Sequence, residues 1–542
     1  MKTYKSHNKK YNITYVYEYV NYWDKAKKQS RTKQKLIGRI DPVTGEVIPT
    51  DGRMRKAQER KIENNAAGKS IVMSPDYSRK YCGATYLLDG ISNKLGVTNL
   101  LKQNFPDTYK QLLSIAYYII LGKSNALCNF DQFDHHTKHP YNQNIPSQRS
   151  SELFINISQQ ATFDFVKQFK TLHTECEYWA YDTTSFSSFS EKLRQIKFGY
   201  NKENDIIAQL NFAVVFGEKS NMPFYYRKLT GNVPDSKTVK ILIDELNDYH
   251  FEKLKLVMDK GNFSVDNINS LIENQYDFLI PSKMQMKFVK NDLETIKSEL
   301  PCFENYNAHH NVYSKTTPIK WEYQVFTQEP DIKVKKDKNL YLHFYFNPEQ
   351  KEKDMKKFNR KLDDLRQELL SGEEQKQNKV EYNKYFNVSI LQINDEEKII
   401  VSPKESVIKE AMKNFGYMVL LSSENMDSIT ALEIYRNKDI VEKAICTIKG
   451  TQGFRRLLVS NEKSLEGKMF VEYIALILLS HIKKQMEKLA LKYNKKYYTM
   501  QKLFSAIDSI ECFECKNKKI RYSEISEKQK IIFKDFEINH PA

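Results

Sequence analysis

Residues 178–185 read YWAYDTTS, an apolar run that continues into one carboxylate, Asp182, and three hydroxyl groups. Residues 254–259 read LKLVMD, a second apolar run, which ends in Asp259. Short runs of aromatic and aliphatic residues are typical of buried strands. We therefore predict two buried strands, each of which carries an aspartate.

The elements around these two strands have a regular order. We predict further strands at residues 206–216, 223–229 and 276–281, a helix that is capped at 231–236 and runs to about 249, and a helix at 265–274. The order strand, strand, strand, helix, strand, helix, strand fits an open mixed α/β sheet of ribonuclease-H type. In such a sheet the first and fourth strands are neighbours. Asp182 and Asp259 would then lie side by side, where open α/β sheets build their sites.

A later helix is predicted from about residue 428 to residue 449. At 3.6 residues per turn, one narrow sector of this helix collects Tyr435, Lys438, Glu442 and Lys449. The adjacent sector is apolar and would pack against the core; it carries Ile434, Val441, Ile445 and Ile448. Taken alone, the same pattern is also that of a surface helix whose charged side chains face water.

Together these elements predict a cluster of three carboxylates, which we assign as catalytic and metal-binding residues: Asp182, Asp259 and Glu442. Ligands that are all oxygen select Mg²⁺, or Mn²⁺ in its place, over zinc. Two such ions can activate a water or hydroxyl and stabilise the leaving oxygen of a phosphodiester.

Cations and a phenol beside this cluster could hold a phosphate backbone. We assign that DNA-binding role to Tyr435, Lys438 and Lys449. Three other polar residues in the same region are better explained by turn and strand-end hydrogen bonds: Thr184, Asp235 and Lys260.

The net charge of +17, from 85 Lys and Arg against 68 Asp and Glu, favours a polyanionic partner, with nucleic acid first. The longest apolar runs, at residues 115–121 and 473–479, are too short to cross a membrane, and no apolar signal region follows Met1. The seven cysteines are scattered and odd in number, which predicts no disulfide framework. These features indicate a cytoplasmic protein that works on nucleic acid.

Changes in pattern along the chain divide it into six segments. A small β unit with a basic loop comes first, followed by a mainly helical region. In this helical region residues 95–98 resemble the turn of a helix-turn-helix, and the region is a candidate for binding a DNA end. The sheet follows in two parts, separated by a partly β insertion, and a basic helical tail ends the chain. The predicted boundaries are 1–60, 61–175, 176–284, 285–415, 416–490 and 491–542.

Several of these motifs resemble the DDE transposases of bacterial insertion sequences, in the insertion-sequence-4 superfamily and its 1634-like branch. The family's Tyr-Arg-Glu-Lys signature corresponds to Tyr435, Lys438 in place of Arg, Glu442 and Lys449, with every spacing kept. The first-Asp, Gly-Asn turn and second-Asp motifs of the family resemble residues 181–185, 229–236 and 258–261. The resemblance covers most of the chain and is weakest over 285–410 and after about 490.

The resemblance implies cut-and-paste movement of a DNA segment. Such an enzyme binds the terminal inverted repeats of double-stranded DNA, cleaves at the element's ends with two Mg²⁺ ions, and joins those ends to target DNA. It works as a homodimer or larger assembly on paired ends, in the bacterial cytoplasm at the nucleoid. The insertion would help to hold a hairpinned DNA end. Lys438 departs from the family pattern because it lacks the two-pronged donor geometry of Arg.

Two alternatives to a transposase stay open on the sequence. One is a DNA-binding protein that descends from a transposase and no longer cuts, although the presence of all three carboxylates argues against it. The other is a nuclease of the same fold that hydrolyses DNA without joining strands, because both enzymes would use the same metal chemistry.

Overall fold

The computed structural model forms two compact units, Met1–Tyr77 and Ser78–Ala542. The residues that the structure describes are 2–9, 12–24, 29–42, 44–50, 77–122, 126–173, 177–190, 192–199, 207–249, 251, 254–326, 333–393, 396–439, 442–443, 458–459, 461–494, 498–515 and 519–542. Within these ranges, none of the helices combines the length and the apolar character that crossing a membrane requires.

The described residues of the first unit form one antiparallel sheet of four strands in the order β1 (Lys2–Asn8), β2 (Ile13–Asp24), β3 (Gln29–Ile40) and β4 (Val47–Pro49). The sequence pattern predicts only two or three strands, because β1 is polar and exposed and shows no alternation. Its Tyr4 stacks on Tyr17 of β2, with ring centroids 5.3 Å apart. Of the predicted basic loop, Lys25, Lys27 and Lys28 lie outside the described residues.

The second unit begins within strand β5 (Tyr77–Tyr81), which is followed by a layer of helices. The helices are α1 (Gly83–Lys94), α2 (Val97–Asn104), α3 (Tyr109–Leu121), α4 (Phe130–His136), α5 (Ser147–Ile155) and α6 (Gln159–His173). The predicted turn is present between α1 and α2, where Gly96 has a φ of 74° that L-residues seldom adopt. Val97, Leu100 and Leu101 of α2 face the core.

The centre of the second unit is a sheet of nine strands. Its middle part contains β6 (Tyr178–Ser187), β7 (Gln209–Gly217), β8 (Pro223–Thr230), β9 (Lys255–Val257) and β10 (Asp277–Pro281), with helices α7 (Asp235–Asp248) and α8 (Val265–Glu273) between them in the chain. The spatial order is β8-β7-β6-β9-β10. β6 pairs in parallel with β9, so the predicted adjacency of the first and fourth strands is confirmed. The fold is therefore a mixed α/β fold, as expected.

The segment 285–415 extends this sheet as well as interrupting it in the chain. After α9 (Lys287–Glu299), strands β11 (Tyr306–Asn307), β12 (Val312–Phe326) and β13 (Lys333–Phe346) occupy one edge of the sheet, and β13 pairs with β16 (Tyr417–Ser422). The rest forms a small lobe with its own apolar core. The lobe contains α10 (Pro348–Ser371), α11 (Lys379–Tyr385), β14 (Phe386–Ile393), β15 (Glu396–Pro403) and α12 (Glu405–Met412).

Among the described residues after β16, the structure has four helices and two short strands: α13 (Ser428–Asn437), α14 (Glu462–Lys492), α15 (Met500–Ile507), β17 (Glu511–Cys515), β18 (Arg521–Tyr522) and α16 (Glu527–Asp535). The prediction of a purely helical tail is wrong, because β17 lies between β18 and β5. Arg79 of β5 pairs with Glu511 of β17, 432 residues further along the chain. A local pattern cannot reveal a strand whose partner is so distant.

The buried His343 makes the sheet sensitive to acid. Its side chain lies between β12 and β16 and shares hydrogen bonds of 2.9 Å with the hydroxyls of Thr316 and Ser422. Burial lowers the pKa of His343 from 6.5 to about 4. Between these two values the unfolded chain binds a proton that the folded chain excludes, so this residue's stabilising contribution is present above pH 6.5 and is lost as the pH falls towards 4.

We expect His343→Gln to remove part of this pH dependence, because glutamine does not titrate. The change in unfolding free energy between pH 7 and pH 4 should shrink by roughly 3 kcal/mol, the equivalent of the pKa shift. Chemical denaturation at the two pH values measures it. The exposed His309, changed to Gln, is the control; equal pH dependence in both variants would contradict the assignment.

Candidate active site

The pairing of β6 with β9 brings two aspartates to the same end of the sheet. Ala180 is opposite Val257 in the parallel register, so Asp182 and Asp259 each lie two residues beyond that pair. Asp182 is buried, with 6% of its surface exposed, and accepts a hydrogen bond from the backbone N–H of Thr183 at 2.8 Å. The prediction that these two carboxylates lie on neighbouring strands is confirmed at the level of the backbone.

Asp259 is the more open of the two aspartates. It follows β9 directly and begins the short 3₁₀ turn Lys260–Asn262. The backbone N–H of Asn262 donates to the Asp259 carbonyl at 3.0 Å, which fixes the turn. The side chain of Asp259 keeps 36% of its surface exposed, so its carboxylate remains available to a ligand from outside.

The helix that was predicted to run from residue 428 to residue 449 is interrupted. α13 ends at Asn437, and Lys438 occupies a turn in which its N–H donates to the Tyr435 carbonyl at 3.3 Å. The predicted helix is confirmed over 428–437 and is helical again at 439 and 442–443, but it is not continuous at Lys438; residues 440–441 and 444–449 lie outside the described residues. Lys438 keeps right-handed helical φ and ψ angles, and only 1% of the residue is exposed. Lys449 lies outside the described residues.

The Lys438 ammonium forms ion pairs with two of the candidate carboxylates. Its Nζ lies 2.9 Å from Asp259 Oδ1 and 3.1 Å from Glu442 Oε1. Burial alone would lower the pKa of Lys438, but the negative charges of Asp259, Asp182 and Glu442 outweigh burial and raise that pKa above its usual value. The three carboxylates, which come from segments far apart in the chain, thus share one buried positive charge.

Tyr435 lies on the last turn of α13, beside this group of charges. The residue is half-buried. Burial, and then the charge of Asp259, raise the pKa of the Tyr435 phenol to about 12. At neutral pH the phenol therefore keeps its proton and can donate a hydrogen bond to an anionic ligand.

A fourth carboxylate, Asp235, supports the site from the start of α7. Its Oδ1 accepts a hydrogen bond from Thr183 Oγ1 at 2.8 Å, next to Asp182. Its Oδ2 is so close to Gly261 that a Cβ at that glycine would lie 3.4 Å away. The expectation of a strand-end hydrogen bond is confirmed for Asp235, but the sequence did not indicate that Asp235 also lies next to the turn that follows Asp259.

No preformed metal cage is seen in the part of the chain that the structure describes: nowhere in it do three or more His, Cys, Asp or Glu side chains come close enough together to hold an ion. At the candidate site the ammonium of Lys438 lies between the carboxylates of Asp259 and Glu442. The donor set is nevertheless that of a hard divalent cation, since its ligating atoms are all carboxylate oxygens.

A Ser-His-Asp arrangement elsewhere in the second unit is structural. His139 contacts Ser114 Oγ at 2.9 Å through Nδ1 and Asp134 Oδ1 at 3.0 Å through Nε2. Ser114 is fully buried, and its hydroxyl donates to the Lys110 carbonyl at 2.7 Å. A hydroxyl that is buried and already engaged cannot reach a substrate, so this triad is no candidate for nucleophilic catalysis.

The family model of the Transposase DDE domain matches residues 179–478, more than half of the chain. The chain belongs to this family. It is a DDE transposase, and proteins of this kind act on DNA and generally use divalent metal ions. The matched range contains all three carboxylates that surround Lys438.

Two further comparisons add little. No curated protein matches the chain. Among solved structures, the chain is similar to one described as the cryo-EM structure of piggyBac transposase synaptic complex with hairpin DNA. The identity is 9%, the TM-score is 0.34, and the alignment covers 78% of this chain and 76% of that chain. A likeness this distant carries no argument about the site.

We expect Lys438→Met to destabilise the transposase, because the substitution keeps the buried alkyl chain but leaves the carboxylates without their shared cation. The expected loss is roughly 1–2 kcal/mol, less than for a fully buried pair because Asp259 and Glu442 are partly hydrated. Chemical denaturation measures it. Lys260→Met removes an exposed lysine next to Asp259 and should cost little. An equal effect of both variants would show that the ion pairs of Lys438 contribute no stability.

Proposed function

We propose that this transposase binds the terminal inverted repeats of a mobile DNA segment, cleaves at its ends, and transfers those ends to target DNA. The observation that carries the proposal is the buried Lys438 ammonium, which pairs with Asp259 and Glu442 and also lies within the electrostatic influence of Asp182. Carboxylates gathered at strand ends are the arrangement that metal-assisted phosphodiester chemistry requires. We assign these three carboxylates as the catalytic, metal-binding set.

Mg²⁺, or Mn²⁺ in its place, would be held by the three carboxylates and would supply Lewis acidity to the scissile phosphodiester. The residues around the three carboxylates balance their charge and fix their positions. Lys438 neutralises part of the carboxylate charge, so that the three groups can stay close together before a metal ion enters. Asp235 holds the Thr183 hydroxyl and thereby fixes the backbone next to Asp182.

Tyr435 and Lys438 would also face the substrate. The protonated phenol of Tyr435 can donate to a phosphate oxygen, and the partly exposed carboxylates beside it leave a path for the backbone of DNA. Because Lys438 is buried against carboxylates, its contact with phosphate would require the ammonium to change partners when metal binds. We assign Lys449 to the same phosphate-binding role from its position in the Tyr-Lys-Glu-Lys spacing.

We further propose that the catalytic core is ribonuclease-H-like and that the enzyme is of the insertion-sequence-4 type. The strand order β8-β7-β6-β9-β10, with β6 parallel to β9, supports the first point. The motif spacing supports the second, with Lys438 in place of Arg. On this view the helical region 61–175 contributes to binding of a DNA end, and a homodimer or larger assembly acts on paired ends in the bacterial cytoplasm.

The decisive experiment is a cleavage and joining assay on labelled DNA that carries the element's own ends, with Mg²⁺. We expect Asp259→Asn to lower both activities by more than about 100-fold, since loss of a direct metal ligand should exceed the loss caused by changes in the outer shell. DNA binding in EDTA should persist.

The matched control is Asp266→Asn, which changes an exposed aspartate on α8 in the same way and should keep full activity. Cleavage that survives Asp259→Asn would place the metals elsewhere. Cleavage by the wild type without joining would identify a nuclease instead of a transposase, and binding without any cleavage would identify an inactive DNA-binding descendant.

A further inference from the structure

A concave surface at the C-terminal end of α14 is lined by lysines. It encloses about 1130 Å³ between α14, α15 and α16. We call it the lysine cleft and define it by the five lysines on its wall: Lys488, Lys492, Lys502, Lys528 and Lys534. The five residues come from three helices that are separate in sequence, so only the folded chain brings them together.

The two carboxylates of the cleft are already engaged. Asp535 accepts a hydrogen bond from the Tyr493 hydroxyl at 2.7 Å and lies 3.9 Å from Lys492 Nζ. Glu537 pairs with Lys94 of α1, outside the cleft wall. In the part of the chain that the structure describes, the other four lysines of the cleft have no carboxylate within ion-pair distance.

One lysine of the cleft, Lys488, also acts on a neighbouring histidine. His481 lies on α14, upstream of the cleft. Burial, and then the charges of Lys94, Lys484 and Lys488, lower the pKa of His481 to about 4. Like charges that are gathered on a concave surface repel one another and attract counter-ions, so the cleft is a ready site for an anion with several charges.

The chemistry of the wall indicates which anion fits. A cleft of this size, with lysines on three helices, exceeds what one phosphate group needs, and it suits the repeated phosphates of a nucleic acid backbone. Lysine is a flexible point charge without the planar fork that reads a base edge. The contacts would therefore hold the backbone without reading its sequence.

We propose that the lysine cleft binds the phosphate backbone of double-stranded DNA, as a second contact surface in addition to the catalytic site. The proposal rests on the proposed function, which makes DNA the substrate. It assigns a role to the C-terminal segment, in which the sequence showed no site. It also means that part of the enzyme's affinity for DNA is independent of the metal-binding residues.

The test uses one variant in which the four cleft lysines that have no carboxylate partner are replaced together: Lys488→Gln, Lys502→Gln, Lys528→Gln and Lys534→Gln. The dissociation constant for a duplex of arbitrary sequence is measured between about 50 and 200 mM salt in EDTA, so that cleavage plays no part. Each phosphate contact contributes about 0.9 to the slope of log affinity against log salt, so we expect the slope to fall by about 3 to 4.

Two controls separate the cleft from net charge. A variant with Arg at the same four positions keeps the charges and should retain the wild-type slope. A variant with Gln at Lys192, Lys219, Lys240 and Lys463 removes the same charge from exposed lysines outside the cleft and outside the region 61–175, and its slope should change much less. Thermal melting verifies that each variant is folded.

A cleft variant that has the same slope as the scattered variant would overturn the proposal. So would a cleft variant that loses binding to anionic lipid vesicles while its DNA binding is unchanged, since the cleft would then serve a membrane surface. Failure of the proposed function has a different signature: the wild type would bind DNA through the cleft, with the expected slope, and would not cleave DNA ends in Mg²⁺.

Discussion

The buried ammonium of Lys438 is the constraint on which the candidate active site depends. An amine that is removed from water without partners costs several kcal/mol, and here its partners are the carboxylates of Asp259 and Glu442. The same pairs keep negative charges close together that would otherwise repel one another. The position of α13 over the sheet and the closeness of the carboxylates therefore stabilise each other.

The strands of the 285–415 segment hold α13 in place. The helix is capped by Asp427, whose carboxylate accepts from the N–H groups of Ile429 and Thr430. Its first residue, Ser428, accepts a hydrogen bond from the Tyr345 hydroxyl of β13 at 2.5 Å and donates to Ser314 of β12 at 2.8 Å. The inserted strands thus support the helix that carries Tyr435 and leads into Lys438, so the insertion has a structural role next to the candidate active site.

The molecule uses its cations in two different ways. At the candidate active site Lys438 is paired with carboxylates, so the local charge is largely balanced and a metal ion or phosphate must exchange with existing partners. In the lysine cleft, four of the five lysines lack such partners among the described residues, so an external polyanion would balance their charge. The candidate active site would then cleave DNA, and the lysine cleft would hold it.

The sequence by itself determined the order of strands and helices from residue 178 to residue 281, the placement of Asp182 and Asp259 on neighbouring strands, and the start of α13. These features follow from apolar runs, caps and turns, which act over a few residues. Only the tertiary structure decided the break at Lys438, the pairing of β17 with β5, the extension of the sheet by β12 and β13, and the gathering of the lysine cleft. Each of these depends on burial, or on partners that lie tens to hundreds of residues away, and no local stretch of sequence contains that information.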